Sequence, residues 1–167
     1  MSLERLWAGW RGEYVGSAGG GGGDEECVFC RIVTGGEPDE ATYVLWRGAA
    51  TVALLNAYPY TSGHLMVMPT RHVADLEALD PTEAVELWGA MTAAVVAVKA
   101  AYGPGGINVG ANLGRAAGAG LPEHLHLHCL PRWNGDTNFM TSVAEARVLP
   151  EALSTSWTRL RASWPKP

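Results

Sequence analysis

Three of the chain's five histidines stand in His124-Leu125-His126-Leu127-His128-Cys129-Leu130, alternating with apolar residues. Successive side chains of a β-strand point to opposite faces, so the three imidazoles share one face with roughly 7 Å between neighbouring Cα atoms. Leu125, Leu127 and Cys129 then turn towards a core. Imidazoles titrate near neutrality, attack electrophiles and bind metals. The spacing allows two chemistries, a nucleophilic histidine or a three-histidine metal site, and does not choose between them. A second constellation, Cys27-x-x-Cys30, is compatible with a redox motif or with half of a tetrahedral metal site. His64, in Ser62-Gly63-His64-Leu65, reads as either a functional histidine or a hydrogen-bonded strand residue.

The elements that must position these groups can be read from periodicity. Thr42–Trp46, Thr51–Leu55 and His64–Met68 are strand-like runs, the last bounded by Ser62-Gly63 and Pro69. Asp80-Pro81-Thr82-Glu83 is a helix start, with an Asx cap, Pro at the first helical position and an acidic residue in the first turn. The helix runs to Gly103 and sets Ala84, Leu87, Trp88, Met91, Ala94, Val95 and Val98 along one stripe, with Trp88 and Met91 as core. Gly106–Leu113 and Glu123–Leu130 are strands around the loop 114–122, and a closing helix starts near Pro150 with Leu153, Trp157 and Leu160 inward. Strands flank one long helix with little βαβ alternation, which favours an α+β fold. Residues 1–24 form an arm (Leu3, Leu6, Trp7, Trp10, Tyr14) and a glycine-rich linker containing Gly19 to Gly23; residues 25–167 form the single domain.

At 167 residues, 47% hydrophobic and 17% charged, the chain is an ordinary globular domain with a sizeable core. A net charge of −5 argues against nucleic acid or an anionic membrane as partner. No uninterrupted apolar run approaches the ~20 residues of a bilayer span, and the N-terminus lacks a signal-peptide apolar region. Three cysteines fit a reducing compartment better than a disulfide framework, so the cytoplasm is expected.

The unbroken His-apolar-His-apolar-His-apolar-apolar run resembles the signature of the histidine-triad (HIT) family. Its flanks, Asn112-Leu113-Gly114-Arg115 upstream and Pro131-Arg132-Trp133-Asn134-Gly135-Asp136-Thr137-Asn138-Phe139 downstream, are similar to the bacterial branch of diadenosine tetraphosphate phosphorylases, or ATP adenylyltransferases. The resemblance covers about residues 25–150. It implies a mainly antiparallel five-stranded sheet with helices on one side, often joined across a homodimer. It also implies an enzyme that cleaves dinucleoside polyphosphates through a nucleotidyl-histidine, without an organic cofactor and with small-molecule nucleotides as partners.

Carried over residue by residue, the resemblance makes His126 the nucleophile, with its second ring nitrogen held by the carbonyl of His124. His128 is to contact the phosphate and assist proton transfer, and His64 to support the triad. Asn56 stands where the family binds ribose hydroxyls, although an Asn before Tyr58-Pro59 is also a turn residue. Phe29, Ile32 and Leu54 fall where apolar side chains sandwich the base, and Asn112, Gly118 and Gly120 fall in the phosphate-binding segment. Relatives that hold zinc do so with positions matching Cys27, Cys30, His72 and His124, which makes a structural zinc the expectation. One departure matters: many family hydrolases carry Gln and then Ser or Thr at the positions here filled by Gly120 and Leu121. A purine-nucleoside phosphoramidase, a three-histidine zinc hydrolase and a non-catalytic nucleotide binder stand as the competing readings.

Overall fold

The fold was obtained as a computed structural model, which describes residues 27–136 and 151–166. The N-terminal arm and glycine-rich linker expected at 1–24 lie outside the described residues, as do Thr137–Phe139 of the downstream flank. In chain order the elements are α1 (Val28–Thr34), the short α2 (Asp39–Thr42), β1 (Val44–Arg47), β2 (Thr51–Leu55), β3 (Leu65–Pro69), α3 (Pro81–Tyr102), β4 (Gly106–Ala111), β5 (Leu127–Arg132) and α4 (Leu153–Ser163). The strands form one antiparallel sheet in the order β1-β2-β3-β5-β4. The two longest helices, α3 and α4, pack together on one of its faces. This is the α+β architecture expected from the sequence.

Alternation along the strands builds two cores. Ala53 and Leu55 of β2, Leu65 and Val67 of β3, and Leu127 and Cys129 of β5 face α3. Val52, Leu54, Met66 and Met68 face the other way, against Cys27, Phe29 and Cys30 at the start of α1. That second core brings the Cys-x-x-Cys turn beneath the sheet, on the face that also carries the triad.

Helix α3 begins where the sequence indicates. Asp80 accepts from the N–H groups of Thr82 and Glu83, and the Glu83 carboxylate accepts from Asp80 N–H, closing a reciprocal cap. Its inward face differs from the expected stripe. Leu87, Met91, Ala94 and Val98 are buried as anticipated, together with Ala90 and Ala97, but Ala84 is exposed and Trp88 is 62% exposed. By length and composition α3 could span a bilayer; one face of it packs into the core against the sheet, while Val85, Trp88 and Val96 are exposed.

Helix α4 closes the β1 edge. Trp157 donates its indole N–H to the Val44 carbonyl at 2.8 Å, and Arg161 donates to the Leu45 carbonyl at 2.6 Å. At the opposite edge β4 has no strand partner beyond β5 among the described residues.

Candidate active site and metal centre

The three triad histidines are buried and lie on one face, while Leu125, Leu127 and Cys129 enter the α3 core. Regular pairing starts only at Leu127. His124 and His126 sit on an extended lead-in tied down by Leu125 N–H donating to the Val73 carbonyl. Cys129 is fully buried and its thiol is pushed up to about 12 by burial, which makes it a core residue, as the alternation implied.

The three rings have separate tasks. His124 turns to the cysteines: its Nδ1 lies 3.4 Å from Cys27 Sγ and 3.5 Å from Cys30 Sγ, while its Nε2 is 2.9 Å from the Pro69 carbonyl. A carbonyl can only accept, so the proton of His124 is on Nε2 and its Nδ1 lone pair faces the sulfurs. His72 Nδ1 is 3.2 Å from Cys30 Sγ. All four ligand atoms lie within 4.8 Å of one another. A tetrahedral zinc with ordinary Zn–S and Zn–N bonds sets neighbouring S and N ligands about 3.5 Å apart. The donor set therefore fits such an ion in both chemistry and spacing.

His126 Nδ1 is 2.8 Å from the backbone carbonyl of His124. The same oxygen argument puts the His126 proton on Nδ1 and leaves the Nε2 lone pair to the pocket that the ring lines. Burial lowers the His126 pKa, against a smaller opposing effect of the carbonyl bond. Its ring meets Phe29 edge-on at 5.2 Å. His128 Nδ1 lies 2.9 Å from Nε2 of the fully buried His64. Burial, reinforced by His126, pulls His128 down to about 4. The triad does not converge on one point, and among the described residues the cluster that could hold a metal is Cys27, Cys30, His72 and His124.

The pocket is lined by Phe29, Ile32, Leu54, Asn56, Asn112, Gly118 and Gly120, all the positions expected for nucleotide contacts, together with His126 and His128. Two carry less freedom than anticipated. The Asn56 side-chain oxygen accepts from Tyr58 N–H at 2.9 Å and its amide nitrogen lies 3.4 Å from His64 Nδ1, so the turn role is present in the structure. Gly118 has a positive φ of 92° and donates its N–H to the Arg115 carbonyl, so it shapes the turn with that donor already engaged. Sequence reasoning passed over Tyr43, Tyr60 and Met66, which also line the pocket. Tyr60 sits over His64 at 4.7 Å, and nothing in the Tyr58-Pro59-Tyr60 run signalled that contact. The downstream flank is a brace: Arg132 forks onto both Asp136 oxygens and also donates to Asn108 on β4.

A five-stranded antiparallel sheet with three alternating histidines on one face, two of them lining a mainly apolar cleft, defines a histidine-triad protein. The HIT domain profile matches residues 38–135, and the chain belongs to the HIT family. It is 39% identical to the AP-4-A phosphorylase of Mycobacterium tuberculosis over 97% of this chain and 85% of that protein. Among solved structures it is similar to a zinc-bound histidine triad family protein from Mycobacterium smegmatis. That match has a TM-score of 0.68 and 30% identity, covering 84% of this chain and 94% of the other. A hypothetical histidine triad nucleotide-binding protein from Sulfolobus tokodaii is similar with a TM-score of 0.67 and 27% identity, covering 82% of this chain and 91% of the other.

Proposed function

We propose that this protein is a nucleotidyl transferase that cleaves dinucleoside polyphosphates such as diadenosine tetraphosphate through a nucleotidyl-His126 intermediate. The observation that carries the reading is the polarity of His126, whose Nδ1–H is held by the His124 carbonyl while Nε2 is left to the pocket. Attack by Nε2 on the α-phosphorus forms a P–N bond and breaks the P–O bond to the polyphosphate, splitting one displacement into two. The rising charge on the ring is stabilised by the carbonyl at Nδ1, and Phe29, Ile32 and Leu54 offer apolar surface to the base. The similarity to a phosphorylase favours phosphate as the acceptor, with ATP and ADP as products; water as acceptor gives ATP and AMP.

We further propose that Cys27, Cys30, His72 and His124 hold a zinc ion in a closed, structural site. The ion ties the start of α1 to the lead-in of β5. It acts on the reaction only by fixing the residue whose carbonyl orients His126. The outer edge of β4, open among the described residues and set against the covered edge of β1, supports a homodimer in which the sheets of two copies meet along β4.

Product analysis with diadenosine tetraphosphate, with and without inorganic phosphate, tests the activity. Wild type is expected to give ATP plus ADP only with phosphate present, and His126→Ala to give no turnover while retaining nucleotide binding. Equal turnover by His126→Ala rules out the covalent mechanism.

A further inference from the structure

The hydrogen bonds around His64 fix more than its position. Tyr60 donates its backbone N–H to His64 Nδ1 at 3.1 Å, and the side-chain amide of Asn56 approaches the same nitrogen at 3.4 Å. A backbone N–H cannot accept, so His64 Nδ1 carries no proton and its hydrogen is on Nε2. That hydrogen faces His128 Nδ1 at 2.9 Å. His128 Nδ1 therefore accepts, and the one hydrogen of its ring is on Nε2, on the side of the ring that lines the pocket. Adding a second proton to His128 means breaking the bond from His64. Removing its only proton means making an imidazolate, which lies far outside the neutral range.

We propose that the Tyr60 main chain, acting through His64, locks His128 as a neutral Nε2–H donor, so that the site exchanges one phosphate oxyanion for another and transfers no proton. The inference rests on the nucleotidyl-His126 reading and narrows its substrate class. In the first step His126 Nε2 bonds to the α-phosphorus, and the electron pair of the broken P–O bond leaves on the terminal oxygen of a nucleoside triphosphate. Such an oxyanion is stable near neutrality and needs no acid, only the hydrogen bond of His128 to the phosphate. In the second step an oxygen of the hydrogen-phosphate dianion bonds to the same phosphorus. The P–N bond breaks, its pair returns to His126 Nε2, and a nucleoside diphosphate leaves with the hydrogen the phosphate brought.

Phosphoramidates differ because an amine must take up a proton before it departs. Water differs because it must give one up as it attacks. Ahead of the triad the cleft is lined by Gly120 and Leu121, which offer no side-chain proton to a leaving group. The other polar side chains lining the cleft are Thr42, Asn56, Asn112 and the tyrosines 43, 58 and 60, with no carboxylate, lysine or further histidine among them. His64 and the main chain at Tyr60 are thus positioning groups that set the substrate range.

The test reads the tautomers directly, by two-bond ¹H–¹⁵N spectroscopy of the full chain with labelled histidine, each ring assigned by substitution. The expected result is a protonated Nε2 and an unprotonated Nδ1 on both His64 and His128 at pH 8, with His128 unchanged at pH 5.5. A protonated His128 Nδ1 at either pH overturns the lock. In parallel, kcat/KM is compared for diadenosine tetraphosphate with phosphate and for adenosine 5′-phosphoramidate. The anhydride is expected to win by a factor on the order of 10³, the scale of a missing general acid; comparable values overturn the proposal. In His64→Leu, His128 Nδ1 loses the donor that fixes its tautomer, so its hydrogen is expected to populate Nδ1 as well as Nε2 at pH 8; a His128 that stays wholly in the Nε2–H form there also overturns it. Turnover of neither compound defeats the dinucleoside-polyphosphate reading, and the wild-type spectrum still decides the state of His128.

Discussion

At the scale of single residues the site is a set of carbonyls and main-chain donors that dictate which nitrogen of each imidazole carries its hydrogen. The Pro69 carbonyl frees Nδ1 of His124 for the cysteine pair, and the His124 carbonyl frees Nε2 of His126 for the pocket. Burial lowers the pKa of both His126 and His128, and for His128 this has a consequence for stability. The His128 pKa is near 4 in the fold, against about 6.5 for an exposed histidine. Between those values the unfolded chain binds a proton that the native ring refuses, so stability falls as pH drops from about 6.5 to about 4. His128→Leu removes that contribution. Denaturant titrations of the pair are expected to show wild type losing on the order of 3 kcal/mol more than the variant over this interval. Parallel pH curves for the two proteins would mean that His128 is not held neutral.

At the scale of elements, the N-terminus of α3 is fixed by a network that reaches the segment carrying His72. Glu83 completes the cap of Asp80 and takes two hydrogen bonds from Arg71, the residue before His72. Arg71 also donates to the Ala78 carbonyl. The guanidinium beside Glu83 holds its carboxyl down at about 2. A carboxylate with a lowered native pKa stabilises the fold above its unfolded value of about 4.5, and loses that contribution as pH falls towards 2. Glu83→Gln is therefore expected to cost about 1–2 kcal/mol at pH 7. By pH 2 its unfolding curve should converge on that of wild type; a gap that persists there places the effect in packing instead of charge.

Elements of this kind were the legible part of the sequence. The Asp80-Pro81-x-Glu83 signal, the alternating triad and the strand 51–55 are local patterns, and each appears where its chemistry demands. Trp88 was misjudged because side-chain size drew the seam of α3 towards it, while the buried face takes in the small Ala90 and Ala97 instead. The convergence of the Cys-x-x-Cys turn with His72 and His124 was expected from family resemblance alone, since it joins positions 42 to 97 residues apart. Tyr60 could not be anticipated, because its part is played by a backbone N–H that every non-proline residue possesses.

At the scale of the whole molecule, the proposed zinc and the proposed dimer make separable demands. A zinc held there would join α1 to the lead-in of β5 that carries His126, so its binding free energy would be folding free energy. Metal analysis of purified protein is expected to return one zinc per chain, and a strong chelator to lower the melting temperature and activity together. Cys30→Ser should reproduce both losses without chelator; a full complement of zinc in that variant would exclude the site. The dimer depends on a different edge. Strand β1 is covered by Trp157 and Arg161 of α4, whereas the outer edge of β4 is bare among the described residues and carries Val109 at 41% exposure. An uncovered apolar edge strand is a template for another strand, and two-fold pairing of β4 with its own copy satisfies both edges at once. Sedimentation equilibrium is then expected to give twice the chain's 17.7 kDa for wild type. Val109→Lys, which sets a charge on that edge in both copies, should sediment as a monomer that keeps its zinc. A monomeric wild type would show that β4 is protected by some other part of this chain.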